Sequence, residues 1–186
     1  MLAGLGALLG PRSQLTVFLT RSESDCIGNL DAIAARLPLA AVYSGGRSNP
    51  FDSFDYVRQV VEEARPQALL GRVPAGVLLE AGEHSLEVIA APLRVLTTFW
   101  AYHEATGTLF TSDSFGFRPG RALDYLLAKF DWLPGSRALD ALVAEVEAVF
   151  AARRVVRVAP GHGPVLEGAA LPAALDELRD ALESLR

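Results

Sequence analysis

The sequence predicts an α/β protein in which helices flank a central run of β-strands. Three observations lead to this prediction. Helical apolar spacing alternates with short β-rich runs in the first third of the chain. Short strands at close spacing follow, separated by Gly82 and by Thr106-Gly107. Helical patterns then return, so helices lie at both ends of the strand region, which is typical of a layered α/β architecture.

The individual elements follow from these patterns. LTVFLT is a β-rich run, the strand after it ends at Gly45-Gly46, and Phe54, Val57, Val60 and Val61 have helical spacing. The predicted helices are 2–9, 27–37, 51–64, 121–130, 137–152 and 171–185. The predicted strands are 15–20, 40–44, 76–80, 85–90, 97–103, 108–111 and 155–159. With no repeat and no linker, we expect one domain over residues 1–186.

Composition excludes several classes of function. The chain has 186 residues, is 51% hydrophobic and carries a net charge of −5, which is ordinary for a globular domain with a core. Its densest basic group is only three arginines, so we expect no nucleic-acid partner. No apolar run reaches the roughly 18 residues of a membrane span. A single cysteine, Cys26, forbids an internal disulfide and is compatible with a cytoplasmic location.

Three loops that follow predicted strands carry unusual polar residues. They are residues 20–28, 111–116 and 159–164. Ligand sites of α/β sheets gather beyond the strand ends, so these loops are the predicted site. Their metal-ligand residue types are Glu23, Asp25, Cys26, Asp113 and His162.

Each of these residues also has a structural explanation. Glu23 and Asp25 could cap the helix that starts near residue 27. Asp113 could be a turn former, and His162 could be a loop residue bonded to backbone. Cys26 could be a small buried apolar residue. Their placement at three strand ends favours a shared site.

The same loops resemble the flavodiiron proteins and the related oxygen-binding di-iron proteins. The family motif H-x-E-x-D-H corresponds to R-S-E-S-D-C, residues 21–26. The family segment L-F-S-S-D-A-F-G resembles L-F-T-S-D-S-F-G at 109–116, where the Asp bridges both metals. A-P-G-H-G-P at 159–164 resembles the loop of the last His ligand, and counting back eight residues from Tyr102 places the remaining family His at Arg94.

This resemblance implies a metallo-β-lactamase-like αββα sandwich that lacks the first strands. It also implies a damaged two-metal site. The former first metal site corresponds to Arg21, Glu23, Arg94 and Asp113, and arginine offers no lone pair to a metal. We expect Arg21 and Arg94 to pair with Glu23 and Asp113 instead. The second metal site corresponds to Asp25, Cys26, Asp113 and His162, all competent ligands for iron or zinc.

Two functional hypotheses follow. The first is a non-catalytic or partner subunit with an arginine-compensated pocket, in a homo- or hetero-oligomer. It holds no metal, and its pocket could bind a small anionic ligand. The second is a mononuclear iron or zinc protein with oxygen- or redox-linked activity. Neither includes FMN, because the chain lacks the flavodoxin-like domain of true flavodiiron proteins. Trp100, Tyr102 and His103 either line the pocket or pack beneath it, with core packing favoured for Trp100.

Overall fold

The computed structural model describes residues 2–10, 13–46, 49–136 and 138–186. The chain divides into two compact units, Met1–Pro74 and Ala75–Arg186, which are described separately below. Each unit has its own sheet and its own hydrophobic core. Every helix in the described part of the chain falls short of the length and apolar character that a bilayer crossing requires.

The first unit is a three-stranded parallel sheet with helices between its strands. The strand order is β1-β2-β3, as expected when helical crossovers connect successive parallel strands. In chain order the elements are α1 Leu2–Leu8, β1 Leu15–Leu19, α2 Ser24–Ile27, α3 Leu30–Arg36, β2 Leu39–Gly45, α4 Phe54–Ala64 and β3 Leu69–Val73.

The core of this unit forms where α3 and α4 meet the sheet. Val42 on the central strand is fully buried, as are Ala34 of α3 and Val57 of α4. Val57 and Val61 are four residues apart and therefore share one helix face, which is the face that α4 buries. This packed core therefore holds the end of β1 and the start of α4 in place.

Two details of the first unit differ from the sequence prediction. The helix predicted over 27–37 is two helices, α2 and α3, separated at Gly28 and Asn29. Strand β3 was not predicted, because Gly71 and Arg72 interrupt its short apolar run. Pairing with β2 compensates for this weak local signal, since parallel partners supply the backbone hydrogen bonds.

In its described residues the second unit has a six-stranded mixed sheet, three α-helices and a 3₁₀ helix at Glu104–Thr106. Its strands follow in the order β4-β5-β6-β7-β8-β9, antiparallel except for the parallel pair β7 and β8. The elements are β4 Leu78–Ala81, β5 His84–Ala90, β6 Phe99–His103, β7 Thr108–Ser112, α5 Ala122–Lys129, α6 Leu139–Ala151, β8 Arg157–Pro160, β9 Leu166–Glu167 and α7 Ala170–Ser184. The predicted start of α6 at Arg137 lies outside the described residues.

The core of the second unit contains several buried aromatic residues among its aliphatic ones. Trp100, Phe115 and Phe130 are completely buried, and Phe115 contacts Trp100 and Phe117 ring to ring. Trp100 is on β6, whereas Phe115 belongs to the loop that follows β7. The core therefore fixes this loop, which is the second of the three loops selected from the sequence.

An ion pair between Glu87 of β5 and Arg153 predicts a pH-dependent contribution to stability. The hydrogen bond from Arg153, more than its charge, lowers the pKa of Glu87 below its usual 4.5. Because the folded pKa is depressed, this contribution is fully present above pH 4.5 and is lost as the pH falls through the folded pKa. We expect Glu87→Gln to lower the free energy of unfolding at pH 7 but not in strong acid.

Urea unfolding of both proteins across this pH range measures the effect. Glu167→Gln is the matched control, because Glu167 pairs with Arg157 but more than half of its side chain is exposed. It should change stability little at any pH. A Glu87→Gln difference that persists unchanged in strong acid would contradict the assignment.

Candidate functional site

The first loop holds a buried ion pair at the end of β1. Arg21 and Glu23 are only 8% and 4% exposed. The Arg21 Nε donates to Glu23 Oε2 over 3.1 Å, and the Asn49 Nδ2 donates to Glu23 Oε1 over 2.9 Å. Glu23 occupies the N-cap position of α2, but its side chain makes no capping bond. Capping thus does not explain Glu23, and both of its carboxylate oxygens are engaged within this unit.

A second carboxylate beside this loop was not selected from the sequence. Asp52 accepts hydrogen bonds from the Ser22 hydroxyl at 2.8 Å and from the Phe54 amide at 3.0 Å. It also forms an ion pair with Arg72, whose guanidinium lies 4.2 Å from the centre of the Phe54 ring. Asp52 therefore caps α4 and ties the first loop to β3. The one sequence signal was an acidic residue in the first turn of the helix predicted over 51–64.

Asp25 and Cys26 differ from Glu23 in their exposure. Both are exposed at the start of α2, and the Cys26 thiol donates to Asp25 Oδ1 over 3.5 Å. The interpretation of Cys26 as a buried apolar residue is therefore wrong. Desolvation is the main reason that the pKa of the Cys26 thiol rises to about 11, and the neighbouring Asp25 adds to it. The thiol is protonated at neutral pH.

In the second unit, Asp113 is buried beside two basic groups. It is 5% exposed, with Lys129 Nζ 3.5 Å from Oδ2 and His162 Nε2 3.5 Å from Oδ1. Lys129 is the one lysine in the sequence and was not selected as a site residue. It lies at the end of α5, where the helical pattern alone gives no sign that it faces a carboxylate.

Hydrogen bonds from neighbouring side chains hold the backbone around Asp113 in place. The Trp100 indole donates to the Ser114 hydroxyl at 2.9 Å, and that hydroxyl donates to the Leu93 carbonyl at 2.7 Å. The Tyr125 hydroxyl donates to the Asp113 carbonyl at 2.6 Å. Burial, followed by the charge of Asp113, raises the pKa of Tyr125 to about 12. Trp100 is thus a core residue that supports the loop, as favoured above.

The loop that carries His162 lies against the Asp113 loop. The Gly161 amide donates to the Ser112 carbonyl at 2.6 Å. Gly163 has a φ of +85°, and a Cβ there would come within 3.1 Å of the Gly116 carbonyl oxygen. The positive φ and the close approach favour glycine at position 163. The His162 side chain is 73% exposed, so it points to solvent apart from its approach to Asp113.

The predicted pairing of Arg94 with Asp113 is wrong. In the second unit Asp113 faces Lys129 and His162, whereas the Arg94 Nη1 donates to the Ala91 carbonyl at 2.8 Å. Arg94 is exposed, and it lies on the loop between β5 and β6. Within the second unit, the Lys129 ammonium of α5 is a cation beside this carboxylate, and no motif spacing identifies it.

The predicted metal ligands fall in both units. Glu23, Asp25 and Cys26 belong to the first unit, and Asp113 and His162 belong to the second. Among residues 2–10, 13–46, 49–136 and 138–186, no group of three or more His, Cys, Asp or Glu side chains is placed to hold a metal. The donor set of the first predicted metal does not fit one, because Arg21 and Asn49 occupy the carboxylate of Glu23. Asp25, Cys26, Asp113 and His162 stay predicted ligands of the second.

Comparison with known proteins identifies the fold of this chain. No family model and no curated protein matches the sequence. Solved structures do match. Rubredoxin oxygen:oxidoreductase from Desulfovibrio gigas has a TM-score of 0.66 at 14% identity, covering 98% of this chain and 47% of that one. The chain has the metallo-β-lactamase fold.

Two further structures agree. The flavodiiron core of Flv1 from Synechocystis sp. has a TM-score of 0.65 at 21% identity, covering 98% of this chain and 46% of that one. A metallo-β-lactamase from Pontibacter korlensis has a TM-score of 0.51 at 14% identity, covering 89% and 70%. The chain spans about half the length of the flavodiiron structures. The predicted flavodiiron-like form of the metallo-β-lactamase fold is confirmed.

Proposed function

We propose that this protein is a degenerate relative of the di-iron oxygen-binding proteins that has lost its two-metal site and acts as a non-catalytic or partner subunit. In place of metals, basic side chains neutralise the buried carboxylates. The protein is cytoplasmic in this proposal, contains no FMN and binds neither nucleic acid nor membrane. The similarity to flavodiiron structures supports the relationship, and the ion pairs of the two units support the loss.

The observation that carries the proposal is the engagement of Glu23. A metal ion binds a glutamate through the lone pairs of its carboxylate oxygens, and hydrogen-bond donors compete for the same lone pairs. Here one oxygen accepts from Arg21 and the other from Asn49, at 3.1 and 2.9 Å. Arginine stays protonated in proteins, so its charge opposes a cation at this position at any ordinary pH. The buried pair is stable without a metal.

The surroundings of Asp113 support the same interpretation. A bridging aspartate between two metals is neutralised by them, whereas a buried lone carboxylate needs another source of positive charge. Lys129 supplies it at 3.5 Å. Asp113 and Glu23, the two buried acidic residues of the motif loops, thus each have a basic neighbour in their own unit.

The structure of the first sheet supports a partner role. Strand β1 is at one end of the order β1-β2-β3, and its sequence LTVFL contains no charge or proline. Natural edge strands usually carry such residues to prevent pairing with another chain. A second copy or a related subunit is therefore the proposed neighbour of β1.

Oxygen consumption and size in solution test the two parts of the proposal. With ferrous iron and ascorbate supplied, we expect no oxygen uptake above that of the same mixture without protein, because two metals are needed to clamp and activate oxygen. Uptake that depends on the protein and disappears in Asp113→Asn would contradict the loss of activity. If the neighbour of β1 is a second copy, light scattering at micromolar concentration should give a dimer or larger assembly, and a clean monomer would contradict the homo-oligomer.

A mononuclear metal protein is the second candidate, favoured by the exposure of the remaining donors. Asp25, Cys26 and His162 are accessible to solvent, and their carboxylate, sulfur and imidazole groups suit iron or zinc. The metal would have to displace the thiol proton, whose pKa of about 11 opposes binding. A stoichiometric metal that is lost in Cys26→Ala, but kept in Ser24→Ala, would establish this candidate.

A further inference from the structure

Arg94 lies on the wall of a cavity in the second unit that no part of the proposed function uses. The cavity has a volume of about 380 Å³, within the range of small-molecule sites. One wall comes from the loop between β5 and β6, and the other from α6 and the segment before it. Its lining combines two opposite charges with apolar groups, namely Arg94, Glu145, Pro92, Leu96, Trp132, Ala138, Ala141 and Leu142.

The two charged groups of this cavity are not paired with each other. Among the described residues neither Arg94 nor Glu145 takes part in an ion pair, and both are exposed. Arg94 donates one hydrogen bond to the Ala91 carbonyl. A guanidinium has five N–H donors in a planar fork, so most of them are left for a bound carboxylate. Glu145 is a matching acceptor for an ammonium group.

Two large apolar side chains of the lining, Trp132 and Leu96, are partly exposed to solvent. Trp132 is 42% exposed and Leu96 is 40% exposed, although such side chains are usually buried. Leu96 also has a φ of +53°, which is costly for a leucine. Two hydrogen bonds hold the loop in this conformation. The Thr98 hydroxyl donates to the Val95 carbonyl, and the Ala91 amide donates to the Thr98 carbonyl. Strain that the surroundings maintain is typical of ligand clamps.

We propose that this cavity binds a small zwitterion, an α-amino acid with an apolar or aromatic side chain. The carboxylate of the ligand pairs with Arg94 and its ammonium with Glu145. Its side chain lies against Trp132 and Leu96. This site goes beyond the proposed function and does not depend on it, because none of its interactions involves a metal or Asp113.

Titration calorimetry with L-phenylalanine tests the site. Wild-type protein should bind it saturably, and Arg94→Met or Glu145→Gln should each weaken binding about tenfold or more, as loss of a charge-assisted hydrogen bond does. Phenylacetate and phenethylamine each lack one of the two charges and should bind at least about tenfold more weakly. Emission from Trp132 should also change on binding, and this change should be absent in Trp132→Phe.

Matched variants separate the site from general effects of charge. Arg121→Met and Glu147→Gln remove an exposed arginine and glutamate that do not line the cavity, and they should bind L-phenylalanine as the wild type does. Absence of binding at millimolar ligand, or binding that Arg94→Met leaves intact, would overturn the proposal. Equal binding of phenylacetate with no effect of Glu145→Gln would overturn the zwitterion assignment.

Discussion

Replacing Arg21 by methionine should lower the free energy of unfolding by about 3–5 kcal/mol at neutral pH, the usual result of leaving a buried charge without its partner. Glu23 would keep only the Asn49 hydrogen bond while it remains 4% exposed. Adding Glu23→Gln should recover most of this loss, since the buried charge is then removed as well. Urea unfolding of the single and double variants measures both effects.

Arg58→Met is the matched control for this experiment. Arg58 pairs with Asp55 on α4, but both side chains are largely exposed. Its removal should change the unfolding free energy by less than about 0.5 kcal/mol. If Arg21→Met were equally mild, Arg21 would not be the group that neutralises Glu23, and the account of the first site would be wrong.

Replacing Trp100 by alanine should lower the free energy of unfolding by about 3–5 kcal/mol, the usual range for a buried tryptophan. Trp100 is completely buried against Phe115, and its indole N–H bonds the hydroxyl of Ser114 beside Asp113. The substitution therefore opens a cavity and frees the loop that carries Asp113. Unfolding in urea and hydrogen exchange of the Ser114 amide measure the two consequences.

Trp132 offers an internal control, because it is the only other tryptophan and is 42% exposed. Trp132→Ala should lower stability less than Trp100→Ala does, because part of the Trp132 side chain is already exposed. Where Trp100→Ala fails to fold, Trp100→Phe keeps a ring and removes only the N–H and part of the volume. Faster exchange at Ser114 in Trp100→Phe supports the anchoring role, and unchanged exchange would contradict it.

The sequence was sufficient for the fold class and for most elements of the second unit. Strand β5 and helix α5 were predicted within one or two residues, because alternation and helical spacing are strong there. Strand β3 was missed because its stability comes from pairing with β2, which a local pattern does not contain. The division of the helix after the first loop was missed for a similar reason, since apolar spacing continues across Gly28 and Asn29.

The contacts of the candidate site could be predicted from the sequence only for residues that belong to a family motif. The pairing of Arg21 with Glu23 was predicted, because both residues take positions of the former first metal site in one motif. Lys129 and Asp52 were missed, because an ion pair between distant segments depends on tertiary packing. Arg94 was aligned by counting residues along a loop, and the hydrogen bonds of that loop direct its side chain elsewhere. Tertiary structure thus places the Lys129 ammonium beside Asp113 and the Arg94 guanidinium on the Ala91 carbonyl.

Metal content after exposure to excess ion tests the central claim most directly. The protein would be incubated with ferrous iron without oxygen, or with zinc, then desalted and measured by elemental analysis beside Cys26→Ala and Asp113→Asn. The account predicts far less than one metal ion per chain in every sample, because basic groups already neutralise Glu23 and Asp113. One ion per chain in the wild type, lost in both variants, would contradict it and establish the mononuclear protein instead.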